Sequence, residues 1–140
     1  MPELSLSLPQ ARALALAAQG LLSPPALPAV KADILTAIRR IHNLQLDTIS
    51  VVARAHLHIL WSRLGAFHSR WLDELHAEGA LFEFWAHAAC LLPIEDYPLY
   101  RSLMREKFMG WENIREWGEA HPEIVSEMLA HLRENGAVKS

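Results

Sequence analysis

At 140 residues, 51% of them apolar and 21% charged, the chain is long enough to bury a core and too apolar to stay disordered. Charges or histidines interrupt every apolar stretch before it reaches the ~20 residues of a membrane span, which argues against a membrane partner. The net charge of −3 is uneven: residues 1–70 carry seven Lys/Arg against three Asp/Glu, and residues 71–140 carry six against thirteen. A basic first half suits phosphates, although ordinary surface scatter gives the same count.

In chain order, Ser7, Pro9 and Gln10 form a capping-box start for a helix that runs to Ala18 and stops at Gly20. Prolines 24, 25 and 28 force a loop. A second helix is expected from Val30 to His42, with Ile34, Ile38 and Ile41 on its inner face and Lys31, Arg39 and Arg40 outside. From Leu44 to Val52 the period changes to alternation with β-branched residues, which predicts a short extended segment. Helical spacing returns over Ala55–Leu64, closed by Gly65, and over Ser69–Ala77, closed near Gly79. Residues Leu81 to Trp85 form a second strand candidate, able to pair with the first. After Pro93, helices are predicted over Ile94–Lys107, with Pro98 as a bend or first turn, over Trp111–Trp117, and over Glu123–Asn135, stopped by Gly136. Gly136 and the residues that follow resemble the opening of a helix-turn-helix, with Ser140 as the cap of the next helix. The expected class is α+β, mainly α with a few short strands. Residues 1–110 form an N-terminal winged-helix-type region, and residues 111–140 begin a second unit.

Gln45 and Asp47 lie two apart on the first extended segment, so their side chains point the same way. A carboxylate beside an amide can hold and polarise a water, the carboxylate accepting a proton or facing a cation while the amide sets the geometry. Taken alone, the pair reads first as the solvated face of an amphipathic strand, and a Gln-x-Asp tripeptide is by itself a very weak motif. Arg54 follows at phosphate-binding reach, with an ordinary surface or salt-bridged role as the alternative. His56, His58 and His87 lack an acidic or cysteine partner at ligand spacing, and the single cysteine, Cys90, is isolated, so no metal site is expected. A lone cysteine cannot form an internal disulfide, and a reducing cytoplasm is the natural setting, with no secretory leader in Met1-Pro2-Glu3-Leu4. The tryptophans at 61, 71, 85, 111 and 117 are expected mostly in the core, and the acidic stretch from Glu112 to Glu127 as a solvated face.

Residues 6–20 are followed in order by Leu44-Gln45-Leu46-Asp47-Thr48-Ile49, Val52-Ala53-Arg54, Ser62-Arg63-Leu64-Gly65, Trp85-Ala86-His87 and Met109-Gly110-Trp111. Together these segments resemble the YcaQ/AlkZ-type family of crosslink-repair DNA glycosylases. The Gln-x-Asp form looks more like the YcaQ branch.

The resemblance implies tandem winged helices plus a β-barrel, and hydrolysis of the N-glycosidic bond of N7-alkylated guanine, including interstrand crosslinks, in double-stranded DNA without metal or organic cofactor. It assigns catalysis to Gln45 and Asp47, sets His87 near the active surface, and leaves Arg54, Arg39 and Arg40 as candidate DNA contacts. A hydrogen-bonded structural role is the alternative for His87. Where an acidic residue usually follows this histidine, the chain has Ala88. A bacterial, nucleoid-associated location follows from the same resemblance. Family members are longer, so this chain corresponds to their N-terminal part, and apolar surface left for the remaining units would favour self-association. A non-catalytic winged-helix DNA-binding module, or an inactive fragment of the glycosylase, are the other readings. Because a crosslinked base cannot swing freely into a deep pocket, the site should be shallow, without an aromatic-lined flipping pocket.

Overall fold

A computed structural model describes residues 5–23, 25, 28–105 and 112–136. The chain divides into two compact units, residues 1–97 and 98–140. This boundary lies ahead of the 110/111 division expected from sequence.

The first unit begins with α1 (Leu8–Ala18). Its capping box is formed as expected, with the Ser7 amide donating to Gln10 Oε1 at 2.9 Å. None of its residues is buried. Its attachment lies at the C-terminal end, where free carbonyls concentrate partial negative charge. Arg40 donates from Nε to the Ala18 carbonyl at 3.2 Å and also bonds the Ala17 carbonyl. Arg63 donates from Nε to the Gln19 carbonyl at 2.9 Å.

α2 (Lys31–Ile41) buries Ile34, Ala37 and Ile38, the i, i+3, i+4 stripe of an amphipathic helix. The Asp33 carboxylate accepts the Val30 amide at 2.8 Å, satisfying one open donor at the N-terminus. β1 (Leu44–Gln45) follows after His42, which takes a left-handed φ of 63° to end the helix. α3 (Ala55–Leu64) and α4 (Arg70–Ala77) come next. Gly65 ends α3 at φ +70°, where an added Cβ would also lie 3.1 Å from Pro25 Cγ. β2 (Leu81–Trp85) and β3 (Ala89–Pro93) form a hairpin.

The sheet order is β1-β3-β2, entirely antiparallel. β3 is therefore the central strand. Leu44 sits opposite Leu91, and Gln45 opposite Cys90. The order helix, short strand, helix, helix and hairpin, with the first strand added to the hairpin's second strand, is winged-helix-like. Here α3 and α4 make the helix-turn-helix, and residues 86–88 make the wing turn.

Two strand expectations are corrected. The extended segment is two residues of strand, not nine: after Leu46, whose amide still donates to Ala89 at 2.7 Å, the chain leaves the sheet. β2 pairs with β3 rather than with β1. β3 carries no alternation because all but its first residue are buried, as in a strand covered on both sides.

One core joins Ile34, Ile38, Leu44, Leu60, Leu72, Leu75, Leu81 and Leu91. Fully burying a side chain of this size stabilises by about 1.5–3 kcal/mol. Among the described residues one polar side chain is buried with it: His56, on the first turn of α3, is only 6% exposed, and its Nδ1 has no hydrogen-bond partner among those residues. Burial, reinforced by the nearby Arg54 charge, pushes the His56 pKa below the usual histidine value, while Asp73 and Asp47 pull the other way.

The second unit comprises the rest of α5 (Tyr97–Arg105), with Pro98 in its first turn, then α6 (Glu112–Ala120) and α7 (Pro122–Asn135). Pro122 opens α7 and Gly136 closes it, both as expected. The Trp117 indole stacks on the His121 ring at 4.6 Å between centroids. No residue of these helices is buried among those described. Met109, Gly110, Trp111 and the helix-turn-helix opening after Gly136 lie outside the described residues.

Two variants test this packing. Leu44→Ala removes a fully buried side chain that ties β1 into the core cluster, and should cost about 2–5 kcal/mol in urea unfolding. His56→Leu should flatten the acid dependence of stability. Unfolded histidine takes a proton near pH ~6.5, whereas buried His56 resists it, so the wild type keeps its full stability above that value and loses it as pH falls toward the depressed folded value. The variant should lose less over that window; equal acid slopes in the two proteins would show that His56 is not the group responsible.

Candidate functional site

Gln45 is the last residue of β1 and is exposed, while Leu44 beside it is buried. Alternation along the strand produces that division. Across the sheet, the hairpin turn brings His87 to it: His87 Nε2 lies 3.4 Å from Gln45 Oε1. On the other side of the same ring, Nδ1 lies 4.0 Å from the Sγ of Cys90. Cys90 is fully buried, which pushes its thiol pKa up, with the Ala88 backbone opposing.

Asp47 stands two residues beyond Gln45, where the strand has ended. Its Oδ1 accepts the Ile49 amide at 2.8 Å, closing an Asx-type turn, and its side chain is half-buried. The loop that follows is tied at its base by the Ile49 carbonyl, which accepts the Ala55 amide at 3.3 Å, and by a bridge between Ser50 and Arg54. Its tip presents Val51 and Val52, 92% and 88% exposed. Arg54 caps α3 through its backbone, and its exposed guanidinium has no hydrogen-bond or ion-pair partner among the described residues. Asp47 and Arg54 both lie near enough to act on the His56 proton, in opposite directions.

The structure thus brings Gln45 and His87 into contact and sets Asp47 and Arg54 at the two ends of one loop. Arg39 and Arg40 are engaged elsewhere. Arg39 forms an ion pair with Glu95, which raises the arginine pKa and lowers that of the carboxyl. Arg40 holds the end of α1.

Beside the loop runs an open groove of about 640 Å³ lined by Val52, Leu57, His58, Trp61 and Phe67 among others. Trp61 is 61% exposed, Trp85 56% and Trp117 47%. These three are surface residues, which corrects the expectation that the tryptophans mostly fill the core; Trp71 alone of the described four packs on it. Helix α4, in the position of a recognition helix, carries Asp73 and Glu74, and its Arg70 lies 3.6 Å from Glu74. Among the described residues no three His, Cys, Asp or Glu side chains converge as a metal site would require.

Sequence reasoning did not connect Cys90 or His56 with the site. Cys90 reaches it through the β1–β3 register, for which the sequence carries no local signal. His56 had one: it precedes Leu60 by one helical turn and therefore shares its buried face.

No solved structure matches the chain. The sequence model of one family, DNA glycosylase AlkZ-like, matches residues 38–140, a stretch that contains Gln45, Asp47, Arg54 and His87. With most of its length matched, the chain belongs to the AlkZ-like family of DNA glycosylases.

Proposed function

We propose that this chain carries the catalytic surface of a monofunctional DNA glycosylase that hydrolyses the N-glycosidic bond of N7-alkylguanine in double-stranded DNA, interstrand crosslinks included. The observation that supports this most is the family match over residues 38–140, which includes both Gln45 and Asp47. Glycosylase chemistry on DNA is what the family name describes; the alkylated substrate and the residue roles are our reading.

N7 alkylation makes guanine cationic, so the base departs without a general acid. Charge then develops on the sugar as an oxocarbenium ion. A carboxylate facing that sugar stabilises the charge and directs water to the anomeric carbon. Asp47 suits this chemistry, because one carboxylate oxygen is held by the Ile49 amide, which sets the direction of the other. Gln45 offers an exposed amide to orient the same water or the deoxyribose. Arg54, exposed and unpaired among the described residues, supplies a phosphate contact at the far end of the loop. Gln45 and Asp47 both belong to the surface, in keeping with a lesion that cannot be extruded into a deep pocket. Work on chromosomal DNA fits a bacterial cytoplasmic protein at the nucleoid. The exposed leucines of α1, Leu8, Leu14 and Leu16, offer a face for self-association or for further units of a longer protein.

The test is release of N7-methylguanine from duplex DNA by this chain and by a longer form that adds the DNA-binding units the resemblance implies. Asp47→Asn should lower single-turnover release by about a hundredfold or more while DNA binding persists. Near-normal release by the variant would remove Asp47 from the chemistry.

A further inference from the structure

We propose that His87 is a positioning residue that fixes the orientation of the Gln45 side-chain amide, and that Cys90 in turn fixes the His87 ring. The inference deepens the glycosylase reading, because it concerns how Gln45 is presented to the sugar or to water.

The need for such a device comes from the residue itself. An exposed glutamine has three rotatable bonds, and its amide presents an acceptor at one corner and two donors at the other. An untethered Gln45 would offer either corner to the ligand. His87 Nε2, 3.4 Å from Oε1, selects between them. With the proton on Nε2, the ring donates to Oε1, and the amide's two N–H donors turn away from the hairpin. With the proton on Nδ1, two lone pairs would face each other, and the amide would have to flip.

Cys90 decides the tautomer. Its Sγ is 4.0 Å from Nδ1. A thiol S–H pointed at Nδ1 requires that nitrogen to be an acceptor. Burial supports this direction, because it keeps the sulfur as a thiol with a proton to give. The relay runs from Cys90 S–H to His87 Nδ1, and from Nε2–H to Gln45 Oε1. Two independent features of the backbone assemble it: the pairing of Gln45 opposite Cys90, and the turn at residues 86–88 that folds His87 back over that pair. The outcome is an amide that presents donors, suited to a water or to a deoxyribose oxygen.

The measurement is long-range proton–nitrogen correlation of the His87 ring in the full chain, at a pH above the usual histidine range, together with side-chain relaxation of the Gln45 amide. The expected result is the Nε2–H tautomer, a lower share of it in Cys90→Ala, and a Gln45 amide that becomes mobile in His87→Ala. His87→Gln, whose amide N–H can take the place of Nε2–H, should restore the ordering. A dominant Nδ1–H tautomer, or a Gln45 amide equally ordered without His87, would overturn the proposal. In a form that releases base, His87→Ala should lower kcat about tenfold with KM little changed, and should add no further loss once Gln45 is alanine. Independent, multiplying losses would also overturn it. The spectra need no activity, so the tautomer and ordering without base release by either this chain or the longer form would refute the glycosylase reading and leave the positioning intact.

Discussion

Everything in the candidate site hangs on the pairing of β1 with β3. β1 is two residues long, yet it joins positions that lie 42 residues apart, Gln45 and His87. A strand that short is marginal on its own. It is held because Leu44 is buried in the core cluster with Ile34, Ile38 and Leu60, and because the Leu46 amide adds one bond beyond the strand. The register then matters more than the length. A slip by one residue would turn Gln45 inward and expose Leu44. The burial of Leu44 therefore specifies which side chain faces His87.

The basic half of the chain acquires a different meaning once it is folded. Of its seven cationic side chains, Lys31 pairs with Glu74 and Glu78, Arg39 with Glu95, and Arg70 lies by Glu74. Arg40 and Arg63 hold the end of α1, which has no buried residue to anchor it. Charge that looked available for phosphates is largely engaged in holding helices. Arg12, exposed on α1, and Arg54, whose backbone caps α3 while its guanidinium stays outside, have no hydrogen-bond or ion-pair partner among the described residues.

The helices were legible from local rules. Ser7 and Gln10 announced α1, the isoleucine stripe announced α2, and Pro122 and Gly136 bracketed α7, because caps and stripes are short-range physics. The strands were less so. β3 is a buried apolar run, and such a run has no period to distinguish it from a helix or a loop. Asp47 was expected on a strand face and lies in a turn, because an aspartate that can accept an amide two residues on competes with sheet pairing. Gln45 and Asp47 were found through their place in a familiar sequence context. The contact between Gln45 and His87, and Cys90 behind it, required the sheet.

The most direct test of this account is the β1–β3 register. Leu46 donates to Ala89, so Gln45 and Cys90 form the adjoining non-hydrogen-bonded pair, with Cα atoms expected ~4.5 Å apart. That separation admits a disulfide. Gln45→Cys, mildly oxidised at low protein concentration, should form an intramolecular bond to Cys90, detected by mass and by the loss of two free thiols in the folded monomer. Two persistent free thiols, or crosslinks only between molecules, would contradict the register on which the site is built.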